Sequence, residues 1–198
     1  MGTRPLAGTV AVVTGSSRGG GRGIALALGD AGATVYVTGR SSRETGATQG
    51  RPETVEETAE RVTERGGSGV AVRCDHTDQA AVQGLFERVA GEAGRLDVLV
   101  SNAWGGYERP VETVPFWEVP MEHWDLMFDA GLRAQVVTAR EAMPLLLEGG
   151  RLVVNTLSPV GERYQGSLFY DLVNQAKRRL TVTMAHELRP RGVAVVGV

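Results

Sequence analysis

The chain has 198 residues, of which 42% are hydrophobic and 22% charged, the balance of a globular protein with a full core. Its formal net charge of −2 gives no electrostatic case for nucleic acid or an anionic membrane, and its one cysteine excludes an internal disulfide and any cysteine-cluster metal site. No run of eighteen apolar residues and no signal-peptide core occurs, so a cytoplasmic chain off the membrane is expected, in one domain over 1–198.

Strand and helix patterns alternate from end to end. The β-branched run at 9–14 reads as a strand buried on both faces. It enters a glycine-rich turn and a helix over 21–31, then a second strand at 34–38. Residues 40–52 are polar and read as a mobile loop, followed by a charged helix at 54–65 with a thin apolar stripe. A third strand at 69–73, a helix at 78–93 and a fourth strand at 96–100 come next. The Pro-rich, aromatic stretch 104–120 reads as a loop, and 121–147 as a long helix with an irregularity at Pro144. A fifth strand at 151–156, a helix at 169–188 and a sixth strand at 193–198 complete the pattern. This order predicts a doubly wound, Rossmann-like α/β fold: a parallel sheet of about six strands with helices on both faces. Ligands of such sheets lie at the carboxyl ends of the strands, so the residues after each strand carry the functional reading.

After the first strand comes Thr14-Gly15-Ser16-Ser17-Arg18-Gly19-Gly20-Gly21. Strand, glycine turn and helix start in that order offer free backbone N–H groups to a phosphate. Gly15, Ser17, Arg18, Gly19, Gly20 and Gly21 are therefore candidate cofactor-binding residues. The spacing departs from G-x-G-x-x-G, whose last glycine would fall on Ile24; instead the T-G-x-x-x-G-x-G pattern resembles the short-chain dehydrogenase/reductase family.

Further strand ends carry the resemblance. Arg40, nineteen residues after Gly21, stands where an acid would hold the 2′-hydroxyl of NAD; an arginine there, with Arg18 as a second wall, suits the 2′-phosphate of NADP and makes NAD the poorer fit. Asn102-Ala103 match the family's Asn-Asn-Ala-Gly segment, while Ser101 and Trp104 depart from it. The resemblance gives Asp75 a contact to the adenine amino group. Cys74 reads as a small buried hydrophobe and His76 as a helix-entry or loop residue rather than a ligand.

The resemblance also implies a tyrosine as proton donor or acceptor, a serine that hydrogen-bonds the substrate oxygen, and a lysine four residues after the tyrosine. A free tyrosine titrates near pH 10, so a nearby cation is needed to make it useful at neutral pH. Ser158 and Tyr170 take the first two roles. The third falls on Asn174, which can hydrogen-bond a ribose but carries no charge. Lys177, the chain's one lysine, is about 20° around the helix from Tyr170 but roughly 10 Å along it, and reaches Tyr170 only by bending back a turn. A relay asparagine of the family falls on Gly131. The chain reads as lacking the family's last strand and substrate-covering segment.

The expectation is an NADP-dependent oxidoreductase that moves hydride between a nicotinamide and a carbonyl/alcohol small molecule, with impaired activity. The alternative is a degenerate member serving as a binding or scaffold protein, or as a non-redox enzyme. The resemblance implies a homo-oligomer through the helices at 121–147 and 169–188. Tyr107, Phe116, Trp117 and Trp124 either line an apolar substrate pocket or pack under their loop.

Overall fold

The computed structural model describes residues 4–48, 50–109, 111, 113–158 and 164–198. Short runs of valine and leucine that shed water on both faces form its centre. All four residues of β1 (Val10–Val13) are buried, between β2 (Thr34–Gly39) on one side and β4 (Val98–Ser101) on the other. With β3 (Ser68–Arg73), β5 (Leu152–Asn155) and β6 (Ala194–Gly197) they make a six-stranded, fully parallel sheet in the order β3-β2-β1-β4-β5-β6. The order reverses at β1 and β4, which opens a crevice at their carboxyl ends.

One face of the sheet is covered by α1 (Gly19–Asp30) and α2 (Val55–Glu64), whose Ala25, Val55, Ala59 and Val62 close on Val13, Val35 and Val37. The other is covered by α3 (Gln79–Ala93), α5 (Ala134–Gly149) and α6 (Leu168–Leu188), with Leu85, Phe86, Leu145 and Leu146 against Val12, Tyr36 and Leu99. Side-chain caps fix two helix starts, Thr54 accepting from Glu57 N and Asp78 from Ala80 N. Among the described residues no helix is long and apolar enough to cross a membrane, and no group of His, Cys, Asp and Glu is placed to hold a metal.

Two expectations are corrected. The long helix is irregular not at Pro144, which sits inside regular α5, but at a π-helical turn, Phe128–Arg133, between α4 (Glu122–Met127) and α5. The loop expected to be mobile is pinned by side chains: Ser41 and Ser42 are buried, and Arg18 donates to Thr48 O at 3.0 Å.

His76 ties the two halves together. Thr38 Oγ1 gives its proton to Val13 O, so it accepts from His76 Nε2 at 2.8 Å, leaving Nδ1 to accept from Thr138 Oγ1 on α5 at 3.0 Å. A neutral imidazole satisfies both bonds, and burial pushes its pKa down to about 4. Because the unfolded chain takes up this proton near pH 6.5 and the folded chain only near 4, stability falls as pH drops through that window, by up to about 3 kcal/mol. Urea unfolding at pH 4.5, 5.5 and 7 should show a larger loss on acidification in the wild type than in His76→Gln.

Candidate functional site

The crevice is built on a seam between β1 and β4. Thr14 Oγ1 accepts the backbone N–H groups of Asn102 and Ala103, both at 2.8 Å. The Asn102 amide returns two bonds, donating to Thr14 O and Gly15 O at 3.0 Å each. Ser16 sews the other side, accepting from Thr38 N at 2.9 Å. Gly15 turns in the left-handed region (φ +61°), and a Cβ there would stand 2.8 Å from Ala103 Cα. At Gly21 a Cβ would collide with Gly15 O and Asn102 Nδ2. Beside Gly19, by contrast, there is open space. The first N–H groups of α1 face that space without a side-chain cap, the arrangement that accepts an anion.

Gly15, Ser17, Arg18, Gly19, Gly20, Arg40, Asp75, Asn102 and Ala103 line one cleft of about 400 Å³, so the structure brings nine of the ten proposed cofactor residues to a single surface. Gly21 lies behind it. Asp75 Oδ1 accepts from Thr77 N at 3.0 Å and Thr77 Oγ1 at 2.7 Å, which leaves its second oxygen free of those bonds. Cys74 is buried as expected, and its thiol is pushed up to about 12, chiefly by desolvation.

Arg18 is held by the 40s loop, donating to Thr48 Oγ1 at 2.9 Å and to Ser41 Oγ. Arg51 joins Arg18 and Arg40 on the cleft wall, and sequence reasoning missed it because a polar loop has no periodicity to mark a position. Glu108 was missed as well: it forms an ion pair with Arg40 across the cleft mouth. No local signal in either segment announces that contact, which spans 68 residues.

A second cleft of about 280 Å³ shares Asn102, Trp104 and Tyr107 with the first and adds Ser158, Tyr170, Asn174 and Lys177. Ser158 follows β5, and Tyr170 stands in the first turn of α6, with Tyr170 Oη donating to Ser158 Oγ at 3.0 Å. Of the segment that links them, residues 159–163 lie outside the described residues. Tyr107 Oη is 3.1 Å from Tyr170 Oη; desolvation and that hydrogen bond push the Tyr107 phenol up to about 12, so it stays protonated. The Asn174 amide donates to Tyr170 O at 2.8 Å, within its own helix. Lys177, which the sequence placed too far along the helix, lines the same cleft. Of the loop aromatics, Tyr107 reaches the site, Phe116 and Trp117 face outward, and Trp124 stacks on Phe128 with ring centres 3.8 Å apart.

A crevice at the strand-order reversal, a glycine turn before a helix, and a hydroxyl pair beyond it define a doubly wound domain of the dinucleotide-binding class. The chain matches the family model described as short chain dehydrogenase over residues 9–198, and it belongs to the short-chain dehydrogenase/reductase family. It is 41% identical over 198 residues to dehydrogenase/reductase SDR family member 1 of Mus musculus, covering 98% of this chain and 60% of that protein. To an uncharacterised oxidoreductase of Methylorubrum extorquens it is 34% identical over 197 residues, covering 96% and 71%. It is similar to a short-chain type dehydrogenase/reductase from Mycobacterium marinum (TM-score 0.82, 28% identity, 98% of this chain and 74% of that one). It is also similar to a metagenomic short-chain oxidoreductase in complex with NADP (TM-score 0.80, 27% identity, 98% and 82%). The chain spans about three fifths of the length of the mouse relative.

The glycines divide into a testable contrast. Gly21→Ala should lose about 1–3 kcal/mol by overpacking against backbone. Gly23→Ala, in the same helix with open space around its Cβ, should gain about 0.5–1 kcal/mol. Urea titration of the two variants checks both signs.

Proposed function

We propose that this chain is an NADP-dependent oxidoreductase that interconverts a carbonyl and an alcohol. The observation that carries the reading is the 3.0 Å Tyr170–Ser158 hydroxyl pair at the end of the glycine-turn cleft. When bound, the nicotinamide supplies or accepts the hydride. The protein's own task is then to hold the substrate oxygen and manage one proton.

Ser158 Oγ and Tyr170 Oη, two neutral donors on one side of the cleft, fix a carbonyl oxygen between them. Tyr170 passes its proton to that oxygen as negative charge develops, and withdraws it in the reverse direction. Tyr107, 62% exposed yet with its hydroxyl turned to Tyr170, connects that proton to solvent. Trp104 and Tyr107 supply the apolar walls that orient the substrate.

The preference for NADP rests on Arg18, Arg40 and Arg51 around one end of the first cleft. A 2′-phosphate satisfies guanidinium donors that a 2′-hydroxyl leaves unmatched. The glycine turn receives the pyrophosphate, and Asp75 the adenine amino group. Exposed Val136 and Leu147 on α5 and Leu172 and Val182 on α6 support a homo-oligomer through these helices.

Calorimetric titration should show NADPH binding well ahead of NADH. Arg18→Ala and Arg40→Ala should each weaken NADPH by about 10- to 100-fold, the value of a charge-assisted hydrogen bond, with little effect on NADH. Glu108→Gln should tighten NADPH, because it frees Arg40 from its ion pair. Binding of NADH ahead of NADPH overturns the arginine argument. In a carbonyl screen read by NADPH consumption, Tyr170→Phe should lose about 10²- to 10⁴-fold in rate with cofactor binding retained.

A further inference from the structure

We propose that Lys177, seven residues beyond Tyr170, supplies the cation beside Tyr170, and that the Trp104 ring, packed against Gly131, seats it there. The inference rests on the oxidoreductase reading and names the residue that completes it.

A tyrosine that exchanges a proton near neutral pH needs a positive charge close by. Asn174 brings none, and its amide is committed to Tyr170 O. Residues 170, 174 and 177 lie on one helix face, and a helical side chain leans toward its own N-terminus. The four-carbon stem of Lys177 therefore runs back along α6 toward Asn174 and Tyr170. That direction closes the gap which a count of helical rise leaves open.

The environment fits a cation awaiting oxygen ligands. Lys177 is 5% exposed, yet it lines the cleft that Ser158 and Tyr170 line. Among the described residues, the titratable groups sharing that lining are Tyr107 and Tyr170, with no carboxylate. Among the described residues, elements packed against α6 carry Glu122, His123, Asp125, Asp129, Arg133, Arg189 and Arg191, and α6 itself carries Asp171, Arg178, which donates to Ser158 O at 3.2 Å, and Arg179; none of them shifts it, and burial alone lowers its pKa, to about 8. At neutral pH it is still mostly protonated. A buried ammonium needs acceptor oxygens, and the hydroxyls of a bound ribose provide them.

Its position is fixed by an aromatic face. Lys177 Nζ stands 5.2 Å from the centre of the Trp104 ring, a cation–π contact, and the same ring meets Tyr170 edge-on at 6.0 Å. A Cβ at Gly131 or at Gly106 would collide with the Trp104 indole, so the ring fits only because both positions are glycine. Three oddities separated in sequence (Trp104, Gly131 and Asn174) thus meet around one lysine. Lys177 acts through Tyr170 and the cofactor, as a positioning residue.

Because Lys177 is the chain's one lysine, ε-¹⁵N-lysine labelling of the full chain gives a single side-chain signal that reports its titration without an activity assay. The expected midpoint is near 8, moved upward by saturating NADPH. Lys177→Met should weaken NADPH at least tenfold with the far-UV circular dichroism unchanged. Lys177→Cys treated with bromoethylamine, which rebuilds an ammonium, should recover the binding. The wild-type kcat/KM for NADPH, which reports the free chain, should fall above about pH 8 as the ammonium loses its proton. A lysine signal indifferent to NADPH, or Lys177→Met binding NADPH as the wild type does, overturns the proposal and leaves the oxidoreductase reading standing. A wild-type chain that binds no nicotinamide cofactor overturns both.

Discussion

The seam between Thr14 and Asn102 is the constraint on which the site depends. One hydroxyl oxygen takes two backbone N–H groups, and one amide returns two donors, across a gap of 88 residues. These bonds close the strand ends where the sheet order reverses and fix the glycine turn relative to the end of β4. With the turn held, the first N–H groups of α1 face the cleft, and Trp104 leaves the end of β4 toward α6. The glycine-turn cleft and the hydroxyl-lined cleft are therefore set by a single junction.

From that junction the site grows outward along two arms. Toward β2 it is cationic: Arg18, Arg40 and Arg51 gather on one wall, with Glu108 balancing part of the charge. Toward α6 it is aromatic and hydroxylic. Trp104, Tyr107 and Tyr170 meet by edge-on and stacked contacts, with ring centres 5.8 to 6.3 Å apart. A smaller apolar cluster of Val119, Met127, Phe169 and Val173 supports the base of that arm and holds the start of α6 against the loop after β4. The two arms share Asn102, Trp104 and Tyr107, so the two clefts meet over the same residues.

The strands and helices were legible because their signals are local. Buried parallel strands are continuous β-branched runs, and Thr54 and Asp78 announce their helices by capping the next turn. The element that escaped was the π-helical turn at 128–133, since a widened turn leaves no periodic mark over six residues while a proline does. Contacts made across the fold were equally silent. The Arg40–Glu108 pair joins segments 68 residues apart, and Arg51 sits in a loop with no repeat.

Sequence by itself determined the doubly wound sheet, the glycine turn, and the strand ends at which Asn102 and Ser158 stand. Each of these is a short-range pattern or a position just past a strand. Tertiary structure alone decided what surrounds Tyr170. Helical rise separates Tyr170 from Lys177, but the lean of side chains along a helix and the width of an indole ring bring the lysine into the same cleft. Trp104 could take that place only beside two residues without side chains, Gly106 and Gly131, and their meeting is a property of packing that no single stretch of the chain encodes.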